Sequence, residues 1–446
     1  MQDLSLTTRR LWRALTRHAL LGFERSRRNA MAAAVSGRTS RAEAGLEWLR
    51  KPLLAGHTRA PFWLLVAVTA TGTLAMHILV PVLPLAATSF GVSRGVIQQA
   101  ITFYLFGVAG GQLLYGPVSD RFGRRPILIG SLVLYIAAGA AAGWAATIGG
   151  LLIARVLQAV GGCGGLVLGR AIVRDSAGPG EAASRMALLT MVQSLAPGVG
   201  PAIGGFLGAW FGWRSIFFLL VALGIVTLSG VVLALPETTA RHRSGRMLGS
   251  YLRLLGSRTF CGYMFGGAFT STTFFAYLTA SPFIFTHLLH RPATEVGLYY
   301  LVVIAGIPIG SFGASRLPSR MRLTLLLRAT SAVAVIGAAL FFAVAVSAKL
   351  TVPTVLGPMI LFSLGVDAAS PVAISVAIST DPQMIGAASG LYGFMQMANG
   401  ALCTLAVGII PANPALAAAS VLLAGVLFGQ CFFLLAIRPV AGSRQT

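Results

Sequence analysis

Twelve apolar runs separated by short polar breaks fill the chain from Phe62 to Ile437. They lie near residues 62–85, 96–116, 126–146, 149–170, 186–208, 213–235, 259–283, 294–315, 323–347, 351–375, 384–410 and 413–437. A helix of about 20 apolar residues crosses roughly 30 Å of hydrocarbon, and the runs are close to that length. The ten-residue alternating segments of a transmembrane β-barrel do not occur in the sequence. The expected structure is an all-α integral membrane protein with twelve transmembrane helices. The longest internal polar stretch, Pro236–Arg258, follows the sixth run and carries Arg241, Arg243, Arg246, Arg253 and Arg258. It divides the runs into two six-helix pseudo-repeats, 60–235 and 259–437, joined by the linker 236–258. Residues 1–59 form a basic extension and 438–446 a short tail.

Composition agrees. The 446 residues are 56% hydrophobic and 10% charged, with a mean hydropathy of +0.81. Soluble domains carry about 25% charged residues, so lipid is the expected surrounding for most of this surface. A net charge of +23 suggests nucleic acid at first sight, but its distribution gives a topology instead. With the N-terminus inside, 29 basic residues fall on the inner side and only Arg94, Arg214, Arg291 and Lys349 on the outer. Positive charge collects on the cytoplasmic side, so both termini are expected there, and no nucleic-acid partner is.

Cys163, Cys261, Cys403 and Cys431 lie inside apolar runs without metal-ligand spacing and read as packing residues. No metal or cofactor is expected. No ATP-binding glycine loop, intramembrane metal cluster or nucleophile–base set is evident, so the chain does not read as an enzyme. No secretory signal precedes Pro61. Within the extension, Arg9–Arg28 has the pattern of an amphipathic helix that would lie on anionic lipid, the alternative being a disordered cytoplasmic tail.

Three stretches carry candidate mechanism. The break after the second run reads Gly116-Pro117-Val118-Ser119-Asp120-Arg121-Phe122-Gly123-Arg124-Arg125-Pro126. It sets one carboxylate among three guanidiniums in a short turn, where Asp120 can pair with an arginine and the pair act as a latch. A decayed copy, Gly310–Leu317, follows the eighth run without the aspartate. The fourth run holds Arg155-Val156-Leu157-Gln158-Ala159-Val160-Gly161-Gly162. A guanidinium inside an apolar run needs a cavity or partners, unless it snorkels to the outer interface. The fifth run holds Pro197, Gly200, Pro201, Gly204 and Gly205, which predict a bent helix with a bare face for close packing.

These stretches resemble the major facilitator superfamily: its G-x-x-x-D-R-x-G-R-R loop, its R-x-x-Q-G-x-G motif with Ala159 in place of a glycine, and the antiporter motif G-P-x-x-G-G. Arg170–Asp175 and Gly386–Met397 are similar to the Bcr/CflA group of bacterial drug exporters, over about residues 60–437. The resemblance implies a major facilitator fold in a bacterial inner membrane. It implies export of a small-molecule substrate, proton antiport and a monomer surrounded by membrane lipid. It also implies that Gly116, Asp120, Arg121, Gly123, Arg124 and Arg125 form a conformational latch, and that Arg155 supports proton transfer.

That group commonly places an acid in the first span, where this chain has His77. Only Asp367 among the acids after residue 59 sits well inside an apolar run. His77 and Asp367 are therefore the proton-carrier candidates, the alternative being that His77 only hydrogen-bonds a neighbouring helix. Phe103, Tyr104, Phe274, Tyr277, Tyr392, Phe394 and Gln396 lie on spans that line the cavity in relatives and are the substrate candidates. A superfamily importer, a dedicated metabolite exporter and a non-transporting sensor remain as alternatives.

Overall fold

The computed structural model describes residues 60–176, 178–238, 247–306, 323–381, 384–411 and 413–437. The amphipathic helix expected over Arg9–Arg28 and the decayed loop Gly310–Leu317 lie outside the described residues. Among the described residues every regular element is helical. In chain order these are α1 (Phe62–His77), a 3-10 turn (Val80–Val82), α2 (Leu83–Phe90), α3 (Arg94–Phe122), α4 (Arg124–Gly143) and α5 (Ile148–Ser176). Next come α6 (Pro179–Phe211), α7 (Ser215–Ala234), α8 (Met247–Leu255), α9 (Arg258–Thr272), α10 (Phe274–Phe283) and a π turn (Ile284–Leu288). The last five are α11 (Ala293–Ile304), α12 (Leu323–Ser347), α13 (Val352–Ser379), α14 (Ile385–Ile409) and α15 (Pro414–Ile437). Among the described residues eight helical segments are long and apolar enough to cross a membrane, with Phe62–Phe90 counted as one across its break. Trp63, Trp144, Trp210 and Phe211 are exposed near helix ends, where amphipathic rings meet a membrane–water boundary.

Two expectations change. The first run is not one regular helix. Pro81 has no N–H to donate, so α1 ends at His77 and the chain re-forms a helix only at Leu83. The segment Gly116–Phe122, read as a turn, is instead the last two turns of α3. Gly116 is helical with open space where a side chain would stand, so it supplies neither a turn nor a close approach. The chain turns at Gly123 alone, whose φ of 105° lies in the region that favours glycine. The helix outruns the apolar run because backbone hydrogen bonds do not stop where hydropathy does.

Two seams hold the helices on either side of the centre. α3 packs against α14, and α6 packs against α11. One end of each seam is sealed. A Cβ on Gly95 would lie 2.4 Å from the Gly408 carbonyl oxygen, so the two backbones touch there. Thr102 and Thr404 share a buried hydroxyl hydrogen bond of 2.7 Å, and Gln98 donates to the Thr279 carbonyl at 2.9 Å. At the same end Gly205 abuts the Ala293 carbonyl and Gly297 the backbone of Pro201 and Ala202. The charged residues of the α3–α4 turn lie at the opposite end.

Candidate functional site

A cavity of about 270 Å³ lies between the sealed end and the charged end. Its walls come from α1, α3, α5, α6, α9, α10, α11, α13 and α14, and they are mostly apolar, with Phe274, Phe275, Phe362 and Met397 among them. His77 closes part of it, stacked on Phe275 with ring centroids 5.8 Å apart. The Nδ1 atom of His77 is buried and has no hydrogen-bond partner among the described residues. Gln396 donates to the Ser271 hydroxyl at 3.1 Å, and both line the wall. Of the predicted residues, the cavity thus brings together His77, Pro197, Phe274 and Gln396.

The other substrate candidates do not line it. Tyr104 is fully buried and donates to the Gly72 carbonyl at 3.1 Å. Tyr277 is buried among Phe274, Tyr300 and Phe341, and Tyr392 is buried with its hydroxyl against Gly267. Phe103 is exposed, and Phe394 packs partly buried against the α9–α13–α14 core. These residues share helices with the cavity but not its face. Asp367 lies on α13 directly after the wall residue Val366; its side chain lies outside the described residues.

Arg155 does not snorkel. It is buried between α1, α3 and α7 and donates to Gln158 Oε1 (2.7 Å), the Ala75 carbonyl (3.0 Å) and the Ala100 carbonyl (3.4 Å). Its guanidinium stacks over the Tyr104 ring at 4.0 Å. It touches α1 two residues before His77 and does not line the cavity itself. The glycines of α6 press on the same break: Gly200 meets His77, and Gly204 meets the Ile78 carbonyl. Pro201 is buried beside them.

At the charged end Arg124 is the centre. It pairs with Asp120 at 2.6 Å and Asp175 at 3.0 Å, and it donates to the Ser119 hydroxyl. Glu237, which the sequence reading did not single out, accepts from the backbone N–H groups of Arg124 (2.9 Å) and Arg125 (3.3 Å), at the start of α4. A carboxylate there satisfies free helix donors and meets the positive end of the dipole. Arg125 is buried and donates to the Val232 carbonyl at 2.8 Å, whereas Arg121 is exposed over the Phe122 ring. The three arginines are therefore unequal. Arg124→Ala leaves two carboxylates without their shared cation and is expected to cost about 2 kcal/mol, discounted because Asp120 is partly exposed. Arg121→Ala is expected to stay within about 0.5 kcal/mol. Apparent Tm of the two purified variants checks the order.

Arg170, part of the Arg170–Asp175 stretch but not among the cavity candidates, also belongs to the wall. It lines the cavity and donates to Gln193 Oε1. The apolar run was drawn to end at residue 170, which assigned this arginine to a loop; α5 continues to Ser176 and carries it inside. Among the described residues no cluster of His, Cys, Asp or Glu could hold a metal ion.

A family profile described as Major Facilitator Superfamily matches residues 63–404. The chain is 27% identical over 322 residues to the bicyclomycin resistance protein homolog of Haemophilus influenzae, covering 71% of this chain and 80% of the relative. It is 28% identical over 382 residues to multidrug resistance protein D of Escherichia coli, covering 84% and 95%. Its fold is similar to the inward-facing, unoccupied crystal structure of a bacterial homolog of the human lysosomal transporter Spinster. There the TM-score is 0.66 at 16% identity, over 84% of this chain and 96% of that one.

Proposed function

The chain belongs to the Major Facilitator Superfamily, and we propose that it exports small amphipathic, drug-like molecules by proton antiport with alternating access. It is a membrane transporter of small molecules rather than an enzyme. The observation that carries the export mechanism is the mostly apolar cavity between two seams that are sealed at one end only. Such a site can release its ligand to the other side only if the sealed end opens and the charged end closes. The names of the resistance-protein relatives support drugs as the cargo. On this reading twelve spans form two six-helix halves, 60–235 and 259–437, and the chain works as a monomer in a bacterial inner membrane. The 29-to-4 distribution of basic residues supports cytoplasmic termini, and the sealed end is then periplasmic. The Arg124 cluster acts as the latch at the cytoplasmic end.

His77 supports proton coupling because an imidazole with an unpartnered nitrogen stands in the cavity wall. Asp367 on α13 is the second carrier. Cells expressing the chain are expected to export at least one dye or antibiotic from a broad panel, and a protonophore to stop it. His77→Ala and Asp367→Asn are each expected to lower proton-driven export at least tenfold. Full proton-driven export by both variants would remove these residues from the coupling, uptake driven by the gradient would make the chain an importer, and export of nothing would overturn the drug-export reading.

A further inference from the structure

Among the described wall residues Arg170 is the one arginine or lysine, and none carries a carboxylate. Its hydrogen-bond partner is an amide: it donates to Gln193 Oε1, and no described carboxylate pairs with it. The amide nitrogen of Gln193, Nε2, is buried without a partner. Four of the eight other polar residues of the described wall, Thr73, Ser271, Ser363 and Gln396, already use a donor. Thr73 donates to the Thr69 carbonyl at 2.7 Å, Ser363 to the Val303 and Ile360 carbonyls, and the Gln396 amide to Ser271. At Arg170 and Gln193 positive charge and a buried, unused donor stand together.

The apolar part lies elsewhere. Gly169, next to Arg170, packs against Thr69 of α1, eight residues before His77. At 1.5 Å per residue, Arg170 stands roughly 12 Å from the level of His77 and its stacked partner Phe275. Phe274 and Phe362, stacked with centroids 6.4 Å apart, complete that wall. The cavity has a cationic, donor-rich end and an aromatic end about one small molecule apart.

We infer that the cavity selects amphipathic anions: a planar carboxylate accepts from the Arg170 guanidinium and Gln193 Nε2, while an apolar or aromatic body lies along Phe274, Phe275 and Phe362. A guanidinium presents its N–H groups in a fork that fits a carboxylate, and in an apolar surround such charge-assisted bonds are about twice as strong as neutral ones. An amine cation brings donors and positive charge to a place that already has both. The inference rests on the exporter reading and narrows it to a substrate class.

The test is binding to the full-length protein in detergent at pH 8, with aromatic carboxylates such as 2-naphthoate, each paired with its primary amide and its aminomethyl analogue. Binding is read by tryptophan fluorescence and calorimetry. The expected result is at least one carboxylate that binds tenfold or more tightly than its amide and its amine. Arg170→Gln removes that preference, and Arg170→Lys retains part of it. If Arg170→Gln does not fold, Gln193→Leu is expected to weaken the carboxylate severalfold while leaving the amide unchanged. Amides or amines that bind as well as carboxylates would overturn the inference, as would a preference that survives Arg170→Gln or that emerges only after Asp367→Asn. In each of those cases protonophore-sensitive drug export would still stand, since it is measured separately.

Discussion

Arg155→Met is expected to lower transport at least a hundredfold while moving the apparent Tm by only a few degrees. Two effects nearly cancel in stability. Loss of the guanidinium leaves Gln158 Oε1 and the carbonyls of Ala75 and Ala100 without a donor, and each costs about 1–3 kcal/mol. Against that, Arg155 is buried with no carboxylate paired to it among the described residues, and removing a charge so placed relieves several kcal/mol of desolvation. Methionine fills much of the volume over Tyr104. Transport has no such compensation. In the native protein the Ala75 carbonyl is turned to Arg155, just before α1 breaks. Without Arg155 that carbonyl is free to accept from the Leu79 N–H, which shifts the backbone directly after His77 and loosens the hold on its ring in the cavity wall. Arg155→Lys keeps the charge but cannot reach three acceptors on three helices, so it is expected to transport poorly as well. Export assays on membranes with matched protein levels, beside thermal unfolding of the same variants, separate the two effects. Wild-type transport by Arg155→Met would show that the arginine does not position α1.

Arg155 is half legible in the chain. An arginine inside an apolar run is visible as needing partners. Which partners is not, because Ala75 and Ala100 offer only backbone carbonyls, which every residue has. Helices were legible from run length, but the break after His77 was not, although Pro81 lacks the N–H that would continue α1. The helical end of α3 was hidden, since a hydropathy boundary is not a hydrogen-bond boundary. The same boundary error placed Arg170 in a loop. Glu237 is 113 residues from Arg124, and no local pattern joins them. The buried tyrosines were misread because one helix carries cavity-facing and core-facing rings a single turn apart. Phe274 lines the cavity and Tyr277, three residues on, does not.

Gly204→Ala is expected to be the most damaging glycine-to-alanine change among the described residues. An added Cβ would stand 1.9 Å from the Ile78 carbonyl oxygen and 2.9 Å from its carbon. Ordinary contact begins near 3.4 Å, so α6 and α1 would have to part by about 1.5 Å. The obstacle is backbone, and no rotamer change can relieve it. The Ile78 segment is also held from below by Arg155 at Ala75 and shaped by Pro81 beyond it, so it has little freedom to move. Overpacking of a dense interior costs about 1–3 kcal/mol, and the value expected here is the upper end, about 3 kcal/mol. For a protein of this size that lowers the apparent Tm by roughly 3 °C and reduces the yield of monodisperse protein. Gly116→Ala is the matched control. It lies in a helix with nothing within 4 Å of the new methyl group, so helix propensity alone acts and the variant is expected to be unchanged or up to about 1 kcal/mol more stable. Both glycines belong to recognisable motifs, and motif membership alone would rank them equally. Equal Tm values for Gly204→Ala and Gly116→Ala would mean that α1 and α6 do not meet at Ile78. A drop confined to Gly204→Ala fixes the antiporter motif as the surface on which the His77 wall of the cavity is built.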